Sequence, residues 1–300
     1  MSDTTYETTT VPVPGGELAV GVWGPSDASE TVLAIHGITA THVSWPLVAD
    51  RLPGVRVIAP DLRGRGRSGS TPPPWGMADH ADDMARVLDA FDVSRTVVVG
   101  HSMGGFVTGW LAGRHADRVS AVVLVDGGLP LPIQLPDGVS AEEAPALLLG
   151  PAGDRLSQVF ASRAEYQAYW RRHPAFADDW NDAIAAYVDY DLEPVEGGYR
   201  SASRLAAVAA NIVQMDGSGG YREALASLRM PVDFLRAPRG LLDELPGLYP
   251  PQILATVSDS IPGLRIHELS DVTHYGVLLT PAGADQVAPY VRAALGGTSH

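Results

Sequence analysis

The run Val-Val-Val-Gly-His-Ser-Met-Gly-Gly at positions 97–105 constrains the fold more than any other part of the chain. The valines predict a buried strand that ends at Gly100, and a helical pattern begins at Met103. Ser102 is therefore expected on a sharp turn between strand and helix, with its hydroxyl projecting from the backbone. The flanking glycines indicate an approach too close for a Cβ atom. Free N–H groups at the helix start would lie beside the serine, ready to bind an oxyanion.

Composition excludes several other chemistries. The 300-residue chain has no cysteine and no lysine, which rules out thiolate nucleophiles, disulfides, Schiff bases and a P-loop lysine. Its formal net charge of −14 disfavours nucleic acids and anionic membranes as partners. We identify no signal peptide and no apolar run near the roughly 18 residues of a membrane span, so we expect a cytoplasmic protein. No cofactor or metal is implied, and the oligomeric state stays open.

The remaining pattern predicts an α/β fold. Short apolar runs are expected to form strands, at residues 11–14, 17–23, 31–35, 55–59, 96–99, 121–125, 232–235 and 264–269. Helical periodicity follows several of them, at residues 78–91, 103–114 and 281–295. Strands that alternate with helices predict a mostly parallel sheet with helices on both faces.

One segment interrupts the alternation. Residues 129–228 show no strong strand pattern, begin with a proline-rich loop and carry many aromatic side chains. Because this segment is too long for a loop, we interpret it as a helical cap inserted in a core of residues 1–128 and 229–300. Most of its aromatic side chains are expected to form the cap's own core, and a few to line a pocket against the sheet. Residues 1–10 are expected to be frayed.

A serine nucleophile needs a general base, and for this type of turn the expected chain order is serine, acid, histidine. His274 fits this order, because it follows the last predicted strand at the edge where parallel sheets bind ligands. His267 falls within that strand. The other histidines precede the serine or lie in a predicted helix, in the cap or at the terminus, and they are His36, His42, His80, His101, His115, His173 and His300.

Two carboxylates compete to orient the base. Asp126 ends the strand at 121–125, and Asp243 follows the next strand of the core. Both strand ends face the same edge of the sheet, and we favour Asp126, with Asp243 as the alternative acid. Asp271 is a weaker candidate, because it stands too close to His274 in sequence. Without a catalytic role, Asp126 would cap a glycine turn and Asp243 would begin a helix.

The candidate oxyanion hole consists of two backbone N–H groups, those of Ile38 and Met103. Met103 follows the serine directly, and Gly37 permits the turn that would direct the Ile38 N–H toward the same oxygen. We interpret His36 as a structural hydrogen-bonding residue. Residues 61–68 contain three arginines and two glycines but lack the spacing of a phosphate-binding motif, so we interpret them as a loop braced by an Asp–Arg pair.

These motifs resemble those of the α/β-hydrolase family with a cap domain. The resemblance rests on His36-Gly37, the D-x-R-G-x-G-x-S run at 61–68, the glycine-flanked Ser102 and the late His274. It implies an eight-stranded sheet, a serine nucleophile, a histidine base and the two oxyanion donors already named. A serine at the turn argues against haloalkane dehalogenases and epoxide hydrolases.

The chain departs from the family pattern at the acid. The usual G-x-x-D follows its strand directly, whereas here Ala237-Pro238-Arg239 precede Gly240. Some lactone-cleaving members of the family place the acid one strand earlier, which is the position of Asp126.

We therefore expect a serine-dependent hydrolase of the carboxylesterase or lactonase type, cleaving a small apolar carboxylic ester or lactone through an acyl-enzyme. The alternatives are a cofactor-free carbon–carbon hydrolase, a perhydrolase, or a slow-turnover ligand receptor on the same fold.

Overall fold

The structure, a computed structural model, describes residues 5–133, 136–140 and 143–297. The strands are β1 (Tyr6–Val13), β2 (Gly16–Trp23), β3 (Glu30–Ile35), β4 (Val55–Pro60), β5 (Thr96–His101), β6 (Val119–Val125), β7 (Leu192–Val195), β8 (Gly198–Ser201), β9 (Val232–Arg236) and β10 (Leu264–Glu268). The helices are α1 (Pro46–Ala49), α2 (Met77–Ala90), α3 (Met103–Arg114), α4 (Ala144–Leu149), α5 (Pro151–Asp154), α6 (Arg163–Arg171), α7 (Pro174–Ala177), α8 (Asp182–Tyr190), α9 (Leu205–Ile212), α10 (Tyr221–Ala226), α11 (Pro251–Val257), α12 (Gly276–Leu279) and α13 (Pro281–Gly296). Within these described ranges, every helix is too short or too polar to span a lipid bilayer.

The predicted fold class is confirmed by the large sheet. Its eight strands lie in the order β1-β2-β4-β3-β5-β6-β9-β10. Strand β2 pairs antiparallel with β1 and with β4, and the other neighbours are parallel. After β3 the chain adds β4 on one side of it, and it then adds β5 and β6 on the other side. The direction in which strands are added therefore reverses between β3 and β5. Open parallel sheets bind ligands at such a reversal, beyond the carboxyl ends of the strands.

Burial on both faces explains why the central strands read as continuous apolar runs. All residues of β5 are buried, and in β6 only Ser120 is partly exposed. Helices α3 and α13 both pack against these two strands, and α2 packs against α3. A parallel sheet covered by helices in this way needs side chains without charge on both faces.

Two expectations about local structure are wrong. Tyr6–Thr10 is not frayed, because these residues form the first part of β1 and pair with β2. The segment between β6 and β9 is not purely helical, because β7 and β8 form an antiparallel hairpin within it. Each strand of the hairpin has four residues, with only one of them buried, so no apolar alternation marks it in the sequence.

The predicted division into core and cap stays a prediction. Helices α4–α10 and the β7–β8 hairpin all lie between β6 and β9 in the chain. Parts of the predicted ranges lie outside the described residues, namely 1–4, 134–135, 141–142 and 298–300, the last including His300.

Close packing between α3 and β3 requires a glycine. A Cβ atom on Gly104 would lie 2.1 Å from the carbonyl oxygen of Ile35 and 2.7 Å from that of His36. Both are backbone atoms of the neighbouring strand and its following loop, so they cannot move aside as a flexible side chain could. The glycine therefore sets the distance between α3 and the strand edge that carries the site.

We expect Gly104→Ala to lower the free energy of unfolding by about 3 kcal/mol, because overpacking against backbone displaces α3. Gly296→Ala is the control, since nothing lies within 4 Å of its Cβ position and alanine favours a helix. Urea unfolding followed by circular dichroism measures both. Equal midpoints for Gly104→Ala and the unmodified protein would contradict the packing argument.

Candidate active site

Ser102 occupies a strained backbone position between β5 and α3. Its φ is 55° and its ψ is −124°, a conformation that residues with a side chain rarely adopt. Two backbone hydrogen bonds hold it there, from the Ser102 N–H to the oxygen of Val125 (3.0 Å) and from the Gly105 N–H to the oxygen of Ser102 (2.9 Å). The turn predicted from the glycine-flanked serine is therefore present, and the side chain faces a cavity at the sheet edge.

His274 and Asp126 form a buried pair beside this cavity. The Nδ1–H of His274 donates to Oδ2 of Asp126 over 2.7 Å, and both side chains are almost fully buried. The other carboxylate oxygen of Asp126 accepts the N–H of Ala237 at 3.1 Å. Because Nδ1 carries the proton, Nε2 of His274 is left as the basic nitrogen of the ring.

Ser102 and His274 line the same cavity. Among the described residues, no hydrogen bond joins the Ser102 hydroxyl to the histidine ring. Hydrogen bonds between a nucleophile and its base are often long without substrate and shorten when substrate binds. The structure thus brings the three predicted residues to one cavity.

His101 holds the loop that carries His274. Its Nε2–H donates to the backbone oxygen of His274 at 2.8 Å, and the two imidazole rings lie 4.7 Å apart between centroids. Complete burial lowers the pKa of His101 well below its usual value, with a further contribution from the neighbouring His274. His101 is therefore neutral, and it fixes the position of the base without adding a charge beside it.

Neither alternative acid reaches His274. Asp243 pairs with Arg239 at 3.0 Å, and Asp271, an exposed side chain, approaches the same arginine at 3.3 Å. Asp243 lies in an irregular loop between β9 and α11 rather than at the start of a helix, contrary to its expected structural role. Asp126 is the carboxylate that the geometry places on the base, while its catalytic role stays a prediction.

The loop after β3 approaches the serine closely. A Cβ atom on Gly37 would lie 3.2 Å from Cβ of Ser102 and 3.6 Å from its Oγ. In the part of the chain that the structure describes, the N–H groups of Ile38 and Met103 have no hydrogen-bond partner. The first follows Gly37 and the second begins α3, so both free donors flank the serine, as an oxyanion hole requires.

His36 orients the peptide unit that carries the Ile38 N–H. Its Nδ1–H donates to the oxygen of Gly37 (2.8 Å), and its Nε2 accepts the N–H of Leu62 (2.9 Å). Because the Gly37 carbonyl and the Ile38 N–H belong to one peptide plane, fixing the first also fixes the second. Burial, as the main cause, lowers the pKa of His36 to about 4. His36 is thus a neutral structural residue, as interpreted from the sequence.

The loop at 61–68 is braced by an Asp–Arg pair, as predicted, but the carboxylate of the pair comes from outside the loop. Asp61 accepts from the Nδ1–H of His42 (2.8 Å) and pairs with no arginine side chain among the described residues. The arginine of the pair is Arg63, which is buried against Asp83 on α2. Sequence reasoning missed both partners, because they lie about 20 residues from the loop and carry no local signal.

The cavity is mostly apolar. Its aliphatic and phenyl side chains come from the loop after β3, from α3, from the segment 129–228, from the loop after β9 and from α12, and they are Ile38, Ala40, Phe106, Leu131, Ile133, Leu148, Leu149, Ile212, Met215, Leu241, Leu248, Leu278 and Leu279. Tyr187 and Tyr275 also line it. No arginine is present among the described lining residues. Nor do the described ranges contain a group of three or more His, Cys, Asp or Glu side chains that could hold a metal.

Fold and site define a class of protein, and the sequence comparison agrees with it. The chain belongs to the family with the alpha/beta hydrolase fold, whose sequence model matches residues 30–208.

Curated relatives share part of the chain. It is 38% identical over 155 residues to lipase LipV of Mycobacterium tuberculosis, covering 51% of this chain and 56% of the lipase. It is 31% identical over 157 residues to the bifunctional esterase/perhydrolase DCH of Acinetobacter calcoaceticus, covering 48% and 51%. The match to the non-heme chloroperoxidase of Burkholderia pyrrocinia is 36% over 135 residues, covering 40% and 46%. The chain thus spans about half the length of these relatives.

Solved structures match nearly the whole chain. The crystal structure of E-2-(acetamidomethylene)succinate hydrolase has a TM-score of 0.76 and 23% identity, covering 96% of this chain and 100% of that one. The thioesterase domain from the curacin biosynthetic pathway has a TM-score of 0.75 and 21% identity, covering 96% and 99%. At such identities the agreement concerns the fold.

The hydrogen bond between Asp126 and His274 leads to a prediction about the rate at which a fluorophosphonate labels Ser102. We expect Asp126→Asn to slow the labelling of Ser102 by a fluorophosphonate about 10⁴-fold, because an amide in this place favours the wrong histidine tautomer. Asp243→Asn is the matched control and should label at the unmodified rate. Mass spectrometry of the labelled peptide over time gives both rates. Similar rates for the two variants would exclude Asp126 as the orienting acid.

Proposed function

We propose that this protein is a serine hydrolase that cleaves a small, uncharged, apolar carboxylic ester or lactone through an acyl-enzyme. One observation carries the proposal, namely the buried 2.7 Å hydrogen bond between His274 and Asp126 beside the cavity that Ser102 lines. An imidazole held in this tautomer next to a serine on a strained turn is the arrangement that activates a hydroxyl for acyl transfer.

The proposed first half-reaction forms the acyl-enzyme. Oγ of Ser102 bonds to the substrate carbonyl carbon, while Nε2 of His274 takes the hydroxyl proton and Asp126 stabilises the imidazolium. The carbonyl oxygen becomes an oxyanion that accepts from the N–H groups of Ile38 and Met103, each worth roughly 3–4 kcal/mol in comparable sites. The bond to the leaving oxygen then breaks, and the His274 proton moves to that oxygen.

The second half-reaction reverses these roles with water. A water molecule gives a proton to Nε2 of His274 and bonds to the acyl carbon, forming a second oxyanion in the same hole. When this intermediate collapses, the bond to Oγ of Ser102 breaks and the serine regains the proton from His274. The products are a carboxylic acid and the alcohol, or one hydroxy acid from a lactone.

The cavity supports the uncharged substrate class. Its lining offers aliphatic side chains and no arginine among the described residues, so a substrate carboxylate would lose water without gaining a partner. The net charge of −14 adds a general repulsion of anions. Residues of the proposed cap (129–228), among them Leu148, Tyr187 and Met215, line the same cavity as the serine.

A second candidate, perhydrolysis, draws support from one relative, which is named as a bifunctional esterase/perhydrolase. The same serine, base and oxyanion donors could transfer an acyl group to hydrogen peroxide instead of water. The ratio of peracid to acid formed in a mixture of ester and peroxide distinguishes the two. The carbon–carbon hydrolase, the slow receptor and the cytoplasmic location stay predictions from the sequence.

We expect Ser102→Ala to abolish turnover of p-nitrophenyl acetate, because no other described side chain in the cavity can supply the nucleophile with a base in place. Thermal unfolding should change little, since the hydroxyl forms no hydrogen bond with any residue that the structure describes. Initial rates and a calorimetric scan on the same preparation measure both. Retained hydrolysis in the variant would refute the proposed nucleophile.

The apolar lining predicts a preference that depends on substrate charge. We expect dimethyl adipate to be cleaved with a kcat/KM at least about 10-fold above that of monomethyl adipate, because the second substrate buries a carboxylate without a partner. The two have the same carbon chain and differ in one charge, and acid release in a pH-stat measures the rates. Equal values would contradict the uncharged substrate class.

A further inference from the structure

Three successive carbonyl groups follow the strand that leads to the proposed oxyanion hole, and each has a buried cationic or imidazole partner. His36 donates to the oxygen of Gly37 at 2.8 Å. Nε of Arg65 donates to the oxygen of Ile38 at 3.0 Å, and a terminal nitrogen of Arg155 donates to the oxygen of Thr39 at 3.0 Å. Three buried side chains, two of them from outside the loop, therefore hold its backbone in place.

Arg65 contacts both residues that would supply oxyanion donors. Besides the bond to Ile38, its guanidinium lies 3.8 Å from the sulfur of Met103. Two further bonds reach the proposed cap, to Oδ1 of Asn211 at 2.7 Å and to the oxygen of Ala207 at 3.3 Å. The side chain is completely buried, so these contacts replace its hydration.

The charge of Arg65 is not neutralised by a carboxylate. Its hydrogen-bond acceptors are neutral oxygens and a sulfur, and in the described ranges it forms no ion pair. The other buried arginines differ in this respect, because Arg63 pairs with Asp83 and Arg155 pairs with Asp191 at 3.1 Å. Burial lowers the pKa of Arg65 to about 9, so the guanidinium is still charged at neutral pH.

We propose that Arg65 is a positioning residue of the oxyanion hole, which holds Ile38 and Met103 in place and keeps an unpaired positive charge behind their N–H groups. This inference rests on the proposed hydrolysis. A buried charge without a counterion is costly in the resting protein. When the carbonyl oxygen of the substrate becomes negative, it supplies part of the missing countercharge, so the cation favours the transition state over the bound substrate.

The effect should therefore appear in kcat rather than in KM. Loss of the bond to Ile38 also lets the loop shift, and a displacement of about 1 Å in such a site can cost about 100-fold in rate. A residue that served stability alone would lower the melting temperature but leave the turnover of each folded molecule unchanged.

The test compares Arg65→Met and Arg65→Lys with Arg67→Met. Arg67 is exposed in the same loop and stacks over Tyr190, away from Ile38 and Met103, so its substitution controls for altering the loop. Active molecules are counted by fluorophosphonate titration, and kcat and KM are measured with p-nitrophenyl butyrate. Inhibition by a boronic acid, which forms a tetrahedral anionic adduct with the serine, reports on the hole directly.

We expect Arg65→Met to lower kcat per active molecule by about 10- to 100-fold with KM changed less than about 3-fold, and to weaken boronate inhibition in parallel. Arg65→Lys keeps the charge and should lose less, but a measurable part, of kcat. Arg67→Met should match the unmodified protein. If Arg65→Met does not fold, the reduced kcat and boronate affinity of Arg65→Lys carry the test.

Unchanged kcat and boronate inhibition in the Arg65 variants, with an active unmodified protein, would overturn this inference and leave the proposed function standing. An unmodified protein that neither reacts with fluorophosphonate nor hydrolyses esters would instead overturn the proposed function, and this inference with it.

Discussion

The hydrogen bond between His274 and Asp126 is the contact on which the arrangement of the site depends. It connects the end of β6 with the loop after β10, and β9 lies between these two strands in the sheet. Nδ1 of His274 and Oδ2 of Asp126 are 2.7 Å apart. The N–H of Asp126 donates to the oxygen of Leu235, and its carboxylate accepts from Ala237 (3.1 Å). These bonds compensate a completely buried carboxylate, which would otherwise be costly to desolvate. Asp126 has a positive φ of 44°, which residues with a side chain rarely adopt.

Most of the fold could be predicted from the sequence, because the determining signals are local. Valine-rich runs without charges mark strands that helices cover on both faces, and the predicted strand at 96–99 differs from β5 by two residues at its end. The serine turn was predictable because the glycines beside Ser102 are a local signal. The structure gives the physical reason for two of them, since a Cβ atom on Gly104 or Gly105 would collide with backbone atoms at the end of β3 or after β6. The preference for Asp126 over Asp243 came from the resemblance to lactone-cleaving members of the family. Asp126 is the carboxylate that accepts from His274, and its catalytic role stays a prediction.

The parts that sequence reasoning missed depend on distant partners or on short elements. The β7–β8 hairpin has too few residues for an alternating pattern, and the threonines of β1 read as a polar tail although β2 pairs with them. Arg65 meets Ile38 across 27 positions and Asn211 across 146. A single arginine among three in one loop gives no sign of which partner it has, because a guanidinium binds carbonyls and carboxylates alike.

The contacts of Arg65 and Arg155 have a consequence for exchanging segments between this protein and its homologues. Arg155 and Asn211, both within 129–228, reach Thr39 and Arg65 of the sheet-forming part of the chain. Replacing residues 129–228 by the matching segment of a homologue would therefore remove Arg155 and Asn211. The loop beside the serine would then lose the hydrogen bond to Thr39, and Arg65 would lose its bond to Asn211. Residues 129–228, which line part of the cavity, and the loop after β3 are thus linked by these two contacts, although they are far apart in the sequence.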